Sequence, residues 1–339
     1  MIRRIFRRMY GKRMHCSIAL LSIAPFLSVS AASTEPSASA WLQLSPKNSP
    51  SPRADGATAY DPVSKKIIIF GGFNANAFLD ETWTYDGTTW TQVKTAVAPS
   101  PRSGAGMAFD LASRKIVLFG GFDGNYLGDT WVWDGATSTW SPTSPTTSPV
   151  PVVGPSLFSD PANGRVDAFG GFSITNRYQY ATWQWDGTTW TQIQSATDPS
   201  GRGSAEAAYD PIHKNVVLFG GIAEFNPINT WTFDGSNWTE QFPATSPAAI
   251  MFGGAGFDPA LGQVVVFGGW GGQNGSDLLS TWAWDGSNWN LLNPMRKPPT
   301  REYPFMAYDP SSHQLIVFGG YEVKPNILLN DTWKLVVKP

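Results

Sequence analysis

Four arginines in this 339-residue chain occupy one repeated place: Arg53, Arg102, Arg202 and Arg301 each lie eight residues before an aspartate (Asp61, Asp110, Asp210, Asp309). A guanidinium presents a planar fork of donors that matches a carboxylate, so four forks at one register form a candidate anion-binding set. The two remaining equivalent positions, Val152 and Ile250, are apolar. Glu206, four residues past Arg202, is a lone carboxylate where the equivalent positions are Ala57, Gly106, Ser156, Gly254 and Phe305. A desolvated carboxylate beside an arginine is the least that proton transfer requires, which makes Glu206 and Arg202 the weak candidate catalytic pair. A solvated pair explains the two residues equally well.

Little else in the chain is reactive. Cys16, the sole cysteine, and His15 fall within the first 31 residues, leaving only His213 and His313. Those 31 residues read as an export signal. Arg3, Arg4, Arg7, Arg8, Lys12 and Arg13 form a basic start, residues 17–27 are apolar, and Val29-Ser30-Ala31 is a small-residue cleavage site. The apolar run is too short to span a bilayer and is broken by Pro25. Without this segment the chain carries 18 Lys and Arg against 26 Asp and Glu, a net charge of −8, and no thiol. Disulfides and cysteine chemistry are thereby excluded, and nucleic acid or an anionic membrane is disfavoured as a partner. No phosphate-loop or EF-hand spacing occurs; calcium binding by upper-loop oxygens near Asp123 or Asp277 stays open, although no ligand array is evident there. The expectation is an exported, periplasmic or extracellular protein with a flexible leader at 32–40, a single domain at 41–339, no cofactor and no metal.

These residues are carried on a repeat. Phe-Gly-Gly recurs at 70–72, 119–121, 169–171, 219–221, 267–269 and 318–320, at spacings of 49, 50, 50, 48 and 51 residues. A period near fifty marks a repeat architecture. The first unit reads Ser51-Pro52-Arg53, Ala59-Tyr60-Asp61-Pro62, Ile67-Ile68-Ile69-Phe70-Gly71-Gly72, Thr82-Trp83-Thr84-Tyr85-Asp86-Gly87 and Trp90-Thr91-Gln92-Val93. Asp-Pro after the first run is a turn signal. Asp-Gly after the third, as at Asp86-Gly87 and Asp134-Gly135, is the two-residue hairpin signal. Four short β-rich runs per unit predict a four-stranded antiparallel meander. Six of these arranged radially predict an all-β, six-bladed β-propeller. The sixth unit ends without a fourth run, while Trp41-Leu42-Gln43-Leu44 stands ahead of the first unit as Trp90-Thr91-Gln92-Val93 stands ahead of the second. Residues 41–44 are therefore predicted to be the outer strand of the last blade, which removes the free edge of an open ring. Fifteen of the sixteen tryptophans fall on third- or fourth-run positions, Trp270 being the exception, and are assigned to packing within and between blades.

Gly-Gly closing the second strand, an aromatic on the third and a tryptophan opening the fourth resemble the kelch repeat over residues 41–335. The Thr-Trp-x-x-Asp-Gly-x-x-Trp variant resembles exported bacterial kelch proteins. This resemblance implies the superfold of the galactose oxidase central domain, but not that enzyme's chemistry. Copper–radical oxidation uses two histidines, two tyrosines and a cysteine joined to a tyrosine. Here His213 and His313 fall in separate Asp-Pro turns and the thiol is absent. Serine hydrolysis lacks a base for the same reason. The exported sialic-acid epimerases are also similar in fold and location, and Arg202 and Glu206 are the only residues that suit such chemistry. Fold alone does not confer an activity.

In such a ring the loops before each first strand and after each Gly-Gly share one face, here called the upper face. Uniform Asp-Pro and Asp-Gly turns occupy the lower one. Variable loops on a rigid scaffold are where binding concentrates. The first residues after Gly-Gly are Phe73, Phe122, Phe172, Ile222, Trp270 and Tyr321, a nearly complete aromatic ring. It either caps the blades or forms an apolar, sugar-stacking rim, with Trp270 least covered among Gly268, Gly269, Gly271 and Gly272. By resemblance to kelch domains that capture acidic peptides, Arg53, Arg102, Arg202 and Arg301 look into the channel mouth as a partial basic collar. The alternative is that each bridges to a carboxylate or carbonyl of a neighbouring blade. The expected function is a monomeric, non-enzymatic binding protein that takes a protein segment or a glycan at the upper channel mouth. Two other readings stay open: a metal-free carbohydrate-active enzyme of the sialic-acid epimerase type, and a structural or adhesive surface module.

Overall fold

The computed structural model describes residues 39–175, 178–224, 227–248, 250–271 and 276–337. The expected export signal and residues 32–38 of the leader lie outside them. The second strand of each blade explains the architecture. Lys66–Phe70, Lys115–Phe119 and Asn215–Phe219 each bury four consecutive residues. A strand apolar on both faces needs cover on both, and a neighbouring blade on either side supplies it.

Blade one is built from Ala57–Asp61, Lys66–Phe70, Thr82–Tyr85 and Trp90–Val93, adjacent in that order and antiparallel. Blades two to five repeat the order, their inner strands being Gly106–Asp110, Ser156–Asp160, Glu206–Asp210 and Gly254–Asp258. Blade six takes Phe305–Asp309, Gln314–Glu322 and Ile327–Val337 from the C-terminal end and Ser39–Leu44 from the N-terminal end. Trp41 lies opposite Leu335 and Leu44 opposite Thr332. The closing strand therefore begins two residues before the predicted one. Inner strands pack in chain order, and the sixth packs against the first, so the ring is closed. The described residues contain no helix, and none long and apolar enough to cross a membrane.

A belt of tryptophans joins the blades. An indole near the start of each outer strand donates to a threonine on the third strand of the preceding blade. The six pairs are Trp90 to Thr332, Trp140 to Thr82, Trp190 to Thr130, Trp238 to Thr182, Trp289 to Thr230 and Trp41 to Thr281, at 2.8–3.1 Å. Trp41 thus completes the belt from the far end of the chain. Each such bond contributes about 1 kcal/mol, added to the burial of a whole indole. Within a blade the same tryptophan packs on the second aromatic of the third strand, as in Tyr85–Trp90, Trp133–Trp140 and Trp284–Trp289.

Two local features depart from the repeat's prediction. The Asp-Gly hairpins are four-residue loops rather than two-residue turns. Tyr85 pairs with Trp90, and Asp86 Oδ1 accepts the Thr88 and Thr89 N–H groups. The aspartate side chain supplies the acceptor that a tight turn would have found on the backbone. In blade three, Asp167 is fully buried where the other blades carry Ile68, Val117, Val217, Val265 and Ile316. Its carboxylate accepts from Gln184 at 3.2 Å. Burial, with Asp160 nearby, pushes its pKa up to about 8.

Candidate functional site

The Gly-Gly pairs and the arginines belong to one device. The second glycine of each blade donates its N–H to the backbone carbonyl at the arginine position of the next: Gly72 to Arg102, Gly121 to Val152, Gly171 to Arg202, Gly221 to Ile250, Gly269 to Arg301 and Gly320 to Arg53. Gly71 and Gly72 hold φ of 69° and 90°. A Cβ there would stand 2.5 Å from Arg102 O and 2.6 Å from Ala54 O. Only glycine meets both demands. The side chains of Arg102, Arg202 and Arg301 then return to the carbonyl of their own blade's first glycine, Gly120, Gly220 or Gly319, at 2.9–3.2 Å.

The four arginines are consequently fully buried, and their guanidiniums are engaged within their own blades. Arg102 forms a two-pronged pair with Asp129 at 2.6 and 2.8 Å, and Arg301 pairs likewise with Asp331 at 2.8 and 3.0 Å. Arg53 pairs with Glu81. The acidic partner also takes the indole N–H two residues on, as with Trp131 on Asp129 and Trp333 on Asp331. Burial alone would raise the Asp129 carboxyl, but the bonds from Arg102 and Trp131 hold it below the usual carboxylate range. Arg202 differs: its partner is the neutral Asn229, which passes the contact on to Glu240 at 2.8 Å. Desolvation lowers the Arg202 pKa to about 10, with Glu240 opposing. The predicted collar is thus placed inside the blade tops, with no guanidinium presented to the channel mouth by these contacts.

The residues after Gly-Gly pair with those after the arginine position, Phe73 with Ala54, Phe122 with Ser103, Phe172 with Val153, Ile222 with Gly203, Trp270 with Met251 and Tyr321 with Glu302. Phe73, Phe122, Phe172, Ile222 and Tyr321 are buried in one cluster with Phe252 and Tyr303 that bridges the blades at the upper end. The predicted rim is therefore a plug, with Trp270 half-buried against it. At its centre, Asp55, Gly104, Gly154, Ser204, Phe252 and Tyr303 all adopt φ between 50° and 65°. Backbone bonds such as Gly104 N–H to Asp55 O, Gly154 N–H to Gly104 O and Asp55 N–H to Tyr303 O link successive blades here. Phe252 and Tyr303 stack at 4.3 Å.

Glu206 lies just below this plug. Its Oε1 accepts from Gly253 N–H of blade five at 2.7 Å, and its Oε2 has no partner among the described residues. Burial pushes its pKa up to about 8, against the Gly253 bond. Burial likewise raises Asp55 to about 7, with Ser103 opposing. Arg202 and Glu206 engage different partners, so the expected pair is not assembled. His213 and His313 sit in separate lower turns, on Asp210 at 2.7 Å and near Tyr308 at 3.4 Å.

Residues without a role in the prediction lie outside the plug. Phe78, Tyr126 and Tyr178 form an aromatic chain with Phe122 and Phe172, with centroids 5.2–5.9 Å apart. Between the upper loops of blades two and three is a cleft of about 570 Å3 lined by Phe122, Tyr126, Pro151 and Ile174, with Asn125 and Thr175 as polar members. Apolar residues inside otherwise polar loops were the available signal, and Tyr126 and Ile174 carry it.

A family model described as the KLHDC2/KLHL20/DRC7 Kelch-repeats domain matches residues 31–221. A solved structure titled "Structure of YjhT" superposes with a TM-score of 0.66 at 17% identity, over 87% of this chain and 99% of that one. At that identity the likeness concerns the fold. The curated proteins contain no match.

Proposed function

Because this chain belongs to the Kelch-repeat family, by a match over more than half its length, we propose that it is an exported binding module that engages a protein segment or a glycan through its upper loops. The observation that carries this reading is the division of labour between the faces. Every repeated residue at the upper end is committed to a partner in its own or an adjacent blade, whereas the loops beyond differ in sequence and expose large apolar groups, Ile174 at 78% and Tyr180 at 62%. Variable, exposed loops on a locked scaffold suit recognition. The half-buried second row, Phe78, Tyr126, Tyr178 and Trp270, offers aromatic faces, and the buried Phe73, Phe122, Phe172 and Tyr321 hold them in place. The arginines contribute to such binding by fixing the loop bases. Binding is preferred to proton transfer because Arg202 and Glu206 face different partners.

Export rests on the basic start and apolar run of residues 1–31 and is tested by locating the mature N-terminus in a producing cell. The binding reading is tested by screening the protein on peptide and glycan arrays. Specific capture that is lost on Tyr180→Ala and retained on the lower-face change Ile212→Ala is the expected result. Arrays that stay silent, or capture abolished only from the lower face, would count against it.

A further inference from the structure

Blade three departs from the repeat twice at one spot. Asp167 replaces the Ile or Val of the other second strands. Its cross-strand neighbour Gln184 stands where the other blades carry Thr84, Val132, Thr232, Ala283 and Lys334. A buried carboxyl without a counter-charge is costly. Asp167 is fully buried, and its Oδ2 has no partner among the described residues. Neither Asp167 nor Asp160 joins a salt bridge among them. We propose that this spot, at the lower joint of blades three and four, holds a hard divalent cation of the calcium class between Asp160, Asp167, Asn163 and Gln184.

The backbone places the four side chains together. Phe158 lies opposite Asp167 and two residues before Asp160, so both carboxyls share the face of the sheet on which Phe158 meets Phe233 and Trp238 of blade four. Asn163 lies between the two carboxyls. It donates to Asp160 Oδ2 at 2.7 Å and helps to hold the Asp167 pKa down. Gln184 donates to Asp167 Oδ1 at 3.2 Å. Turned over, each amide would present its oxygen instead, Asn163 giving up its bond from the Arg165 N–H. The Arg165 guanidinium is engaged with the Asp186 carbonyl. Blade four closes the other side: a Cβ on Gly235 would stand 2.7 Å from Asp160 Oδ2. Burial, and then the Asp234 charge, raise the Asp160 carboxyl against its bond from Ala162. Carboxylates and amide carbonyls suit calcium, which takes about six to eight oxygens, and waters entering past the exposed Asn163 would complete the shell. No group of three His, Cys, Asp or Glu side chains that could hold a metal occurs among the described residues. The amides therefore supply half of the set, and the sequence, from which no metal was expected, offers no ligand motif here. Without a cation the site holds a proton on Asp167, whose pKa burial and Asp160 push up to about 8.

The test is calorimetric titration of calcium chloride into protein stripped with EDTA and dialysed, with thermal melts in calcium and in EDTA beside it. One equivalent of calcium should bind and raise the melting temperature above that in EDTA. Asp167→Asn should weaken binding about ten-fold or more. Asp167→Val copies the residue of blades two and four, Val117 and Val217. It should melt at least as high as the unaltered protein in EDTA and show no response to calcium, which keeps the test readable if the asparagine variant misfolds. Asp123→Asn, in an upper loop, should bind calcium as the unaltered protein does. No binding at about 5 mM calcium, above the weakest range of extracellular calcium modules, would overturn the proposal. So would unchanged uptake by Asp167→Val, or uptake lost on Asp123→Asn.

Discussion

The lower and upper faces of the ring are made by the same six-fold repeat and end up unlike each other. On the lower face every inner strand ends in a buried aspartate whose Oδ1 accepts the N–H two residues on, from Asp61 with Val63 to Asp309 with Ser311. In blades two and four the Asp-Gly loop then presses on that aspartate of the blade before. A Cβ on Gly135 would lie 1.7 Å from Asp61 Oδ2, and one on Gly235 2.7 Å from Asp160 Oδ2. On the upper face this regularity stops one residue past Gly-Gly. The difference shows where a repeat keeps its residues: at positions whose partners lie in the same or the adjacent blade. Residues past the plug lack that constraint, and Ile174 and Tyr180 among them are exposed.

The comparison can be broken most severely at the closing strand. Deleting residues 39–44 removes Trp41 and its bond to Thr281, and should destabilise the ring by more than roughly 4 kcal/mol, the cost of losing one buried tryptophan. An unchanged melt would mean that the belt does not hold the blades together. Next in size, Arg102→Ala removes a buried guanidinium, leaves the buried Gly120 carbonyl without its bond, and should cost about 3 kcal/mol in chemical denaturation. A stable variant that instead fails to bind ligand would return the arginines to the recognition surface.

Three buried carboxyls interrupt the repeat, and pH probes them. Asp167, Glu206 and Asp55 have pKa values raised to about 8, 8 and 7 by burial, whereas carboxyls in an unfolded chain titrate near 4. The folded protein therefore holds protons that the unfolded chain releases. Their stabilising contribution is complete below about pH 4 and is lost as pH rises to about 8. Asp167→Asn should flatten that slope and be the more stable protein at pH 8, by about 2 kcal/mol; parallel slopes in thermal melts would refute the assignment. The smallest effect on folding belongs to the upper face. Ile174→Asp should shift stability by no more than about 0.5 kcal/mol while changing binding, and a large loss of stability would show that this loop is scaffold after all.

The fold was legible because its signals are local and recur six times. Gly-Gly, Asp-Pro, Asp-Gly and the paired tryptophans each report on their own few residues, and the fourth strand missing from the sixth unit could be found by matching Trp41 to Trp90. The candidate site was legible only in part. Arg102 and Phe122 were recognised as special, but a residue that repeats with the scaffold is most readily explained by the scaffold. Spacing alone did not show that Asp129, 27 residues further on, would take the Arg102 fork, nor that Phe122 would turn inward. Tyr126 and Ile174 went unmarked because they fall outside the repeat.

The amino-acid sequence by itself determined the number of blades, the strand order and the closure, since these follow from period and from the short-range preferences of glycine, aspartate and β-branched residues. Tertiary structure alone decided which way the repeated side chains face. Blade-against-blade packing buried the arginines and the aromatic ring because a closed ring leaves each blade top in contact with its neighbours. The same packing left a cleft where two unlike loops, from blades two and three, meet without filling the space between them.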